Sequence, residues 1–355
     1  MSAVPTYGAR VNRPLIPILV LAATLAGCSS STTTRAIPGP TGTPTAPAPA
    51  KAAGTPPSAP RDPLAGVDPL TGLRPRRTGP VVAIKVDNEG LARPYQRGLD
   101  RAAIVYQELM EGGSTRLLAV FDDQSRGEVG PIRSVRESDI DLLRQFGQLA
   151  VGFSGGNRGV KATFHRAEVS GWVLDASYDV LPGAYRIGEH RADANNFFSS
   201  PGALAAARPQ ASAPRDIGLR YAAAPTKGPA TGAATADYAA GSIVRVVYDG
   251  PTHTYAIYQD GRRMQSVAPS NVVVQFVTER PSRYVDVLGN GTPYTVTTGG
   301  GRAVVLRDGV RVESRWLRQG FGRTRLVTTG RRDVPLRSGR TWVLLLPAGR
   351  PLAFN

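Results

Sequence analysis

One cysteine stands among 355 residues, and three histidines, His165, His190 and His253, are all the imidazoles the chain has. A disulfide-built scaffold and a cysteine-ligated zinc or iron–sulfur site are thereby excluded, and a histidine-rich metal centre has too few ligands. Lysine is scarce too: four of the 43 basic residues, with arginine supplying the rest. No Gly-x-Ser-x-Gly elbow, Walker lysine loop or His-Glu-x-x-His run occurs, so the common nucleophile, nucleotide and zinc-protease signatures are missing. After residue 28 no apolar run is long enough to span a bilayer.

What is present begins with an address. Arg10 and Arg13 precede the apolar stretch Leu15 to Ala26, which runs into Gly27-Cys28. Residues 1–28 therefore read as a lipoprotein signal peptide, with Cys28 as the lipidated first residue of the mature chain. Two acyl chains on one cysteine anchor a protein stably without a transmembrane helix, which puts the remainder on the outer face of the cell membrane. Residues 29–67 are mostly Ser, Thr, Pro, Ala and Gly, too poor in apolar surface to offset ordering entropy, and read as a disordered tether.

The rest is long enough for two cores. Residues 68–208 read as an α/β layered domain. Val81 to Val86 is a β-branched run emptying into Asp87-Asn88-Glu89-Gly90. Ala102 to Glu111 has helix length, and Arg116 to Phe121 is a second strand ending at Asp122-Asp123. A turn at Gly130-Pro131 precedes a helix over Ser138 to Phe146, a strand over Leu149 to Phe153 and the glycine turn Ser154-Gly155-Gly156-Asn157. Residues 209–241 read as an irregular connection. From 242 to 355, short β-type runs alternate with Asp260-Gly261, Asn290-Gly291 and Asp308-Gly309 turns, which predicts a mostly antiparallel β domain.

Candidate sites follow from that layout. Arg133, Ser134 and Arg136 follow a Gly-Pro turn and open a helix, where guanidinium forks and free N–H groups hold phosphate or carboxylate. Asn157, Arg93 and Arg116 join them as anion or ligand contacts. Asp87 and Asn88 end one strand and Asp122 another; if the strands are parallel neighbours, their carboxyl ends line one crevice and a divalent cation is the cofactor they suit. Glu108 and Glu111, three apart on the expected helix, offer the paired carboxylates of glycoside hydrolysis. The same acids read more readily as turn caps and ion pairs, and no metal-ligating set stands out. His253 reads as an ordinary strand residue.

Charge narrows the partner. The formal net charge is +16, and residues 1–28 hold two arginines and no acid, so the remainder keeps +14. Residues 301–355 carry twelve arginines against three acids. Such an excess attracts an anionic glycan, a teichoic-type polymer or lipid head groups. Nucleic acid is not expected outside the cytoplasm, and Trp316, Phe321 and Trp342 lack a stacking spacing.

Three stretches carry a family resemblance: Arg93 to Leu99, Ala103 to Arg116, and Val129 to Arg136. With Asn271 to Gln275, Trp316 and Gly339 to Trp342, they resemble, in order from Asp68 to Pro347, the YerB-like bacterial lipoprotein family. The resemblance implies a membrane-anchored, two-domain protein whose domains carry only unknown-function labels (family 3048). The family pattern has histidines at the place of Phe153 and near Asn195-Asn196, so chemistry needing those imidazoles is absent here. The expected protein is an extracytoplasmic lipoprotein that binds or scaffolds an anionic envelope component. A glycan- or phosphoester-active hydrolase using the carboxylates is the rival reading, and a protein partner is compatible with both.

Overall fold

The structure is a computed structural model that describes residues 64–75, 79–188, 196–223, 227–286 and 289–355. The expected signal peptide, Cys28, the tether up to residue 63, and Asn195 lie outside the described residues. In the first half the strands are β1 (Val82–Asp87), β2 (Ile104–Leu109), β3 (Thr115–Phe121), β4 (Val129–Ile132), β5 (Leu149–Gly152), β6 (Val173–Asp175), β7 (Arg186–Ile187) and β8 (Phe197–Ser199). Three helices join them: α1 (Glu137–Leu143), α2 (Arg158–Val169) and α3 (Pro201–Ala207). The second half contributes β9 (Ala233–Ala239), β10 (Ser242–Asp249), β11 (Thr254–Gln259), β12 (Arg262–Arg263), β13 (Asn271–Val285) and β14 (Gly291–Val296). It closes with β15 (Gly299–Arg307), β16 (Val310–Arg318), β17 (Thr324–Val327), β18 (Thr341–Pro347) and β19 (Leu352–Phe354).

These strands make two sheets. The larger has fourteen strands along the path β17-β16-β15-β13-β18-β2-β3-β1-β4-β8-β7, with β14 beside β13 and β5 and β6 beside β1. The smaller runs β12-β11-β10-β9-β19. The join between the two halves of the sequence is β18, which pairs in parallel with β13 on one side and with β2 on the other. The described residues form one compact unit. No helix among the described residues is long and apolar enough to cross a membrane.

Side-chain alternation assigns the two faces of the large sheet. Ala83, Ile104, Tyr106, Leu118 and Val120 pack with Ile140 of α1 and Val160 and Phe164 of α2. Val82, Ile84, Val105, Leu117 and Ala119 pack with Ala236, Val244 and Ile257 of the five-stranded sheet and with Leu204 of α3. Strands β1 to β3 are thus buried on both sides.

That double burial explains the main departure from expectation. The protein is mostly β, and Ala102 to Glu111, expected as a helix, holds strand β2 followed by a short 3₁₀ turn at Glu111–Gly113. A strand covered on both faces loses its apolar–polar alternation, so its period is unreadable. Strand β1 pairs antiparallel with β3, not parallel. Gly130-Pro131, expected as a turn, lies within β4 and is joined by a cis peptide bond. The stretch expected to be irregular, 209–241, holds the whole of β9, and Leu64, placed in the tether, is buried. Asp308 and Gly309 both take the left-handed conformation that a two-residue hairpin demands, and they join β15 to β16 as their sequence predicts.

Trp342 of β18 is 1 % exposed, and its indole N–H donates to Gln107 Oε1 of β2 at 3.1 Å. Trp342→Ala should lower the unfolding free energy by about 3–5 kcal/mol in urea titrations. Because β18 ties the halves into one sheet, fluorescence and circular dichroism should still report one coincident transition; two separated transitions would show that the halves melt independently.

Candidate functional site

The helix-covered face of the large sheet ends in a row of charges. Asp87 of β1 and Glu108 of β2 both stand opposite Arg116 of β3. One residue pair further in on β1, Lys85 is fully buried, and its ammonium contacts Glu108 and donates to Asp139 Oδ1 at 2.7 Å. Asp139 Oδ2 accepts from the backbone N–H of Arg136 at 2.7 Å, so a single carboxylate caps α1 and pins it to the sheet. Burial pulls the Lys85 ammonium down to about 8, against the opposing pull of Asp139.

Above this row opens a cavity of ≈ 570 Å³. Arg116, Arg133 and Arg136 line it with Glu89, Glu111 and Ser134. Gly155, Gly156 and Asn157 form one rim at the start of α2, and Asp286, Asn290 and Thr292 of the β13–β14 hairpin form another. Asn157 caps α2 by accepting from Gly159 N–H and bridges the rims by donating to the Val285 carbonyl at 2.8 Å.

The three guanidiniums are unequally committed. Arg136 makes a two-pronged pair with Glu111, both bonds 2.9 Å, and Thr292 donates to the same carboxylate at 2.6 Å. Burial pushes the Glu111 carboxyl up, but Arg136 and Thr292 outweigh it and hold it below its ordinary value. Arg133 reaches Asp87 at 3.2 Å and Glu89 at 3.3 Å. Arg116 has only long contacts, 3.4 Å to Glu89 and 3.5 Å to the Ser134 carbonyl, and its Nε has no hydrogen-bond partner. It is 5 % exposed, and burial with repulsion from Arg136 and Arg133 brings its guanidinium down to about 10.

Of the residues singled out in the sequence, Arg116, Arg133, Ser134, Arg136, Asn157 and Glu111 meet in this cleft, with Asp87 and Glu108 beneath it. Glu108 and Glu111 do not share a helix face: Glu108 is spent on Lys85 and Glu111 on Arg136. Asn88 turns to the opposite face, donating to Thr115 at 2.8 Å and Gln259 at 3.2 Å. Arg93 lies in a separate groove, paired with Asp260 at 2.6 Å. Asp122 sits at the far end of antiparallel β3, where burial and Asp68 push its carboxyl up to about 7. It cannot share a cation with Asp87. His253 occupies a turn with φ of 53°, its ring nitrogen 2.9 Å from the Tyr248 hydroxyl. Phe153 is packed on Phe164 at 4.8 Å between ring centres.

Sequence reasoning missed Lys85, Asp139 and Glu89. A lysine inside an otherwise apolar strand was the available signal, since a buried ammonium requires acidic partners.

Two family models match the chain. "Protein of unknown function (DUF3048) N-terminal domain" covers residues 70–214, and the corresponding C-terminal domain covers 234–343. Both contribute to the cleft. The Bacillus subtilis (strain 168) protein named "Putative lipoprotein YerB" is 43% identical over 86 residues, 23% of this chain and 26% of that protein, so the match spans about a quarter of the relative. The crystal structure of the YerB protein from Bacillus subtilis superposes with a TM-score of 0.67 at 22% identity, covering 81% of this chain and 99% of that one, a likeness of fold.

The Lys85 cluster makes a stability prediction. Lys85→Met leaves Glu108 and Asp139 facing each other without a counter-charge and should cost about 3–5 kcal/mol near neutral pH. In the unaltered protein Lys85 ionises in the fold at about 8, below its ordinary 10.5, so between these values the unfolded chain binds the extra proton and stability rises with pH. Urea titrations across that range should show this rise in the parent and not in Lys85→Met; parallel curves would contradict the burial of a titrating amine.

Proposed function

The chain belongs to the DUF3048 family, and from that premise we propose that it is an envelope lipoprotein, anchored on the outer face through Cys28, whose arginine cleft binds an anionic envelope glycan or teichoic-type polymer. One observation carries the reading. Arg116 is an almost fully buried cation with an unmatched Nε and no contact shorter than 3.4 Å to an acid. Leaving a buried charged donor without a close partner is costly, and an oxyanion in the cleft removes that cost.

The surroundings suit such a ligand. Glu89, the acid shared by Arg116 and Arg133, is 41% exposed, so an incoming phosphate or carboxylate can take its place on both guanidiniums. The twelve-residue helix α2 begins at the rim, adding the positive end of its dipole. Ser114, Asn290 and Thr292 offer hydroxyl and amide groups of the kind that hold sugar hydroxyls. A hydrolase working here would need a carboxylic acid able to give up a proton. Glu111 is held ionised, Glu108 is locked to Lys85, and Asp87, whose carboxyl burial raises, is fully enclosed against Arg133 beneath the cleft, which favours binding over turnover.

Arg116→Met should weaken binding of a purified anionic wall polymer by about 10–100-fold in calorimetric titrations, the worth of one to two charge-assisted bonds. Its melting temperature should hardly move, because the bonds lost are long. Added salt should weaken the parent's binding as well. Equal affinity of parent and variant would refute the cleft as the anion site.

Glu111→Gln removes the two-pronged pair and should destabilise the fold by about 1–3 kcal/mol at neutral pH, since it strands Arg136. The folded carboxyl titrates below its ordinary value, so its contribution is present above that value and lost as pH falls through the folded one. The gap between parent and variant in thermal melts should therefore close in acid; a gap independent of pH would assign Glu111 a packing role only.

A further inference from the structure

Two aromatic rings and an arginine, far apart in sequence, meet on the surface away from the cleft. We propose that this patch of Trp172, Arg144 and Phe321 docks the folded part of the chain on an anionic lipid bilayer, the rings at head-group level and Arg144 against a lipid phosphate. The inference rests on the lipid anchor proposed at Cys28.

The patch is one surface built from two places in the chain. Trp172 follows the end of α2 and is 39% exposed, and Phe321 stands at the tip of the β16–β17 hairpin and is 40% exposed. Val169, the last residue of α2, is exposed as well. The Arg144 guanidinium lies 3.6 Å from the Trp172 ring centre and 3.5 Å from that of Phe321, which makes the three a single stack. Stacking covers the flat faces of a guanidinium and leaves the N–H groups on its edge. Those of Arg144 make no hydrogen bond or ion pair among the described residues. Asp141, the acid whose field reaches it, is engaged by the Tyr294 hydroxyl.

Other cations surround the stack. Arg215 donates to the carbonyls of Gln145 and Arg144 at 2.9 and 3.2 Å and has no acidic partner among the described residues. Arg220 and Arg323 share one acid, Asp216, at 3.0 and 2.8 Å. Four guanidiniums thus have one carboxylate in direct contact, an excess that draws an anionic surface. Glu168, in the last turn of α2, is occupied by the backbone N–H of Asp175 at 2.8 Å.

The point where the anchor enters the fold selects the bilayer as the occupant. The Ile217 carbonyl accepts from Thr324 N–H of the Phe321 hairpin at 2.8 Å, and the Tyr221 hydroxyl donates to the Pro69 carbonyl at 3.4 Å. Four residues of chain, at most about 14 Å, therefore separate the hairpin from the first segment of the fold after the expected anchor. A chain held at Cys28 presents this side to the lipid. Indole and phenyl rings beside arginine are the composition that settles in the head-group region. Residues 319–323 are all exposed, a turn tip suited to a flat surface and without the groove that would hold a polymer strand.

Trp172 is itself the reporter, because Trp316 and Trp342, the other two tryptophans, are buried. The full-length protein would be reconstituted on phosphatidylglycerol vesicles with brominated acyl chains, and its emission compared with that on unbrominated ones. Trp172 should be quenched, and less so on brominated phosphatidylcholine or in high salt. Trp172→Phe should remove the quenching. Phe321→Ser and Arg144→Gln should each lower the ratio of docked to undocked protein about fivefold, with melting temperatures nearly unchanged. Palmitate labelling that Cys28→Ala abolishes reports the anchor separately: label without quenching overturns the patch and leaves the anchor, whereas quenching without label upholds the patch and removes the anchor. Quenching that Phe321→Ser and Arg144→Gln both leave intact overturns the inference, as does Trp172 emission that dissolved wall polymer alters and brominated lipid does not. Should Phe321→Ser fail to fold, Arg144→Gln and Trp172→Phe still decide the matter.

Discussion

The ammonium of Lys85 is the group on which the site depends. A primary amine enclosed on all sides is tolerated only where carboxylates meet it, and Glu108 from the neighbouring strand and Asp139 from α1 do so. Asp139 then has one oxygen for the sheet and one for the backbone of Arg136, which fixes where α1 starts. With that start fixed, Arg136 is aimed at Glu111, and the floor of the cleft is set before any ligand arrives. The cluster therefore exchanges folding stability for a placed helix. This is how buried ion pairs often repay their desolvation, by specifying one geometry over alternatives.

The second half of the sequence completes that geometry. Ser282 donates to Glu137 at 2.8 Å and Arg283 pairs with it at 2.9 Å, so the long strand β13 grips the first residue of α1. Thr292 of β14 reaches Glu111, and the hydroxyl of Tyr294 contacts Asp141. Arg318 of β16, almost fully buried, donates to the Asp141 carbonyl at 2.7 Å. Arg144 sits between the rings of Trp172 and Phe321, at 3.6 and 3.5 Å, one ring from each half. Apart from the Arg144–Trp172 contact, each of these crosses from one family-model region to the other. The cleft is a property of both regions, and neither half of the sequence holds its complete lining.

Legibility in the sequence followed solvent exposure. Strands with one wet face, such as Ser242–Asp249, alternate cleanly and were readable, as were turns whose residues must adopt positive φ. Strand β2, apolar on both faces, was not, and with it went the shared face of Glu108 and Glu111. Arg133, Ser134, Arg136 and Asn157 could be grouped because each follows a local turn or opens a helix, a short-range signal. Arg116 was named with them on charge alone; what places it and Glu89 beside them is the antiparallel pairing of β1 with β3, which no local pattern encodes. The same pairing separates Asp87 from Asp122. Lys85 passed unnoticed because periodicity reads a strand by its majority, and the lone charge that breaks the pattern is the informative residue.

The arginine excess shows how little a charge count says about place. The richest stretch, residues 301–355, spends most of its cations on partners within the protein: Arg307 pairs with Asp308 and is wholly buried, while Arg325 pairs with Asp333 and Arg337 with Asp308 nearer the surface. Arg302, Arg323 and Arg350 likewise have acidic partners, and Arg318 is saturated by carbonyls. A cation already matched within the protein contributes little directed attraction. What marks the cleft is mismatch: three guanidiniums drawn together by a buried scaffold, with the Nε atoms of Arg116 and Arg133 both lacking a hydrogen-bond acceptor. A ligand is recognised where the fold leaves a debt of hydrogen bonds, and in this cleft Arg116 carries the largest share of it, in a region where the sequence is not especially basic.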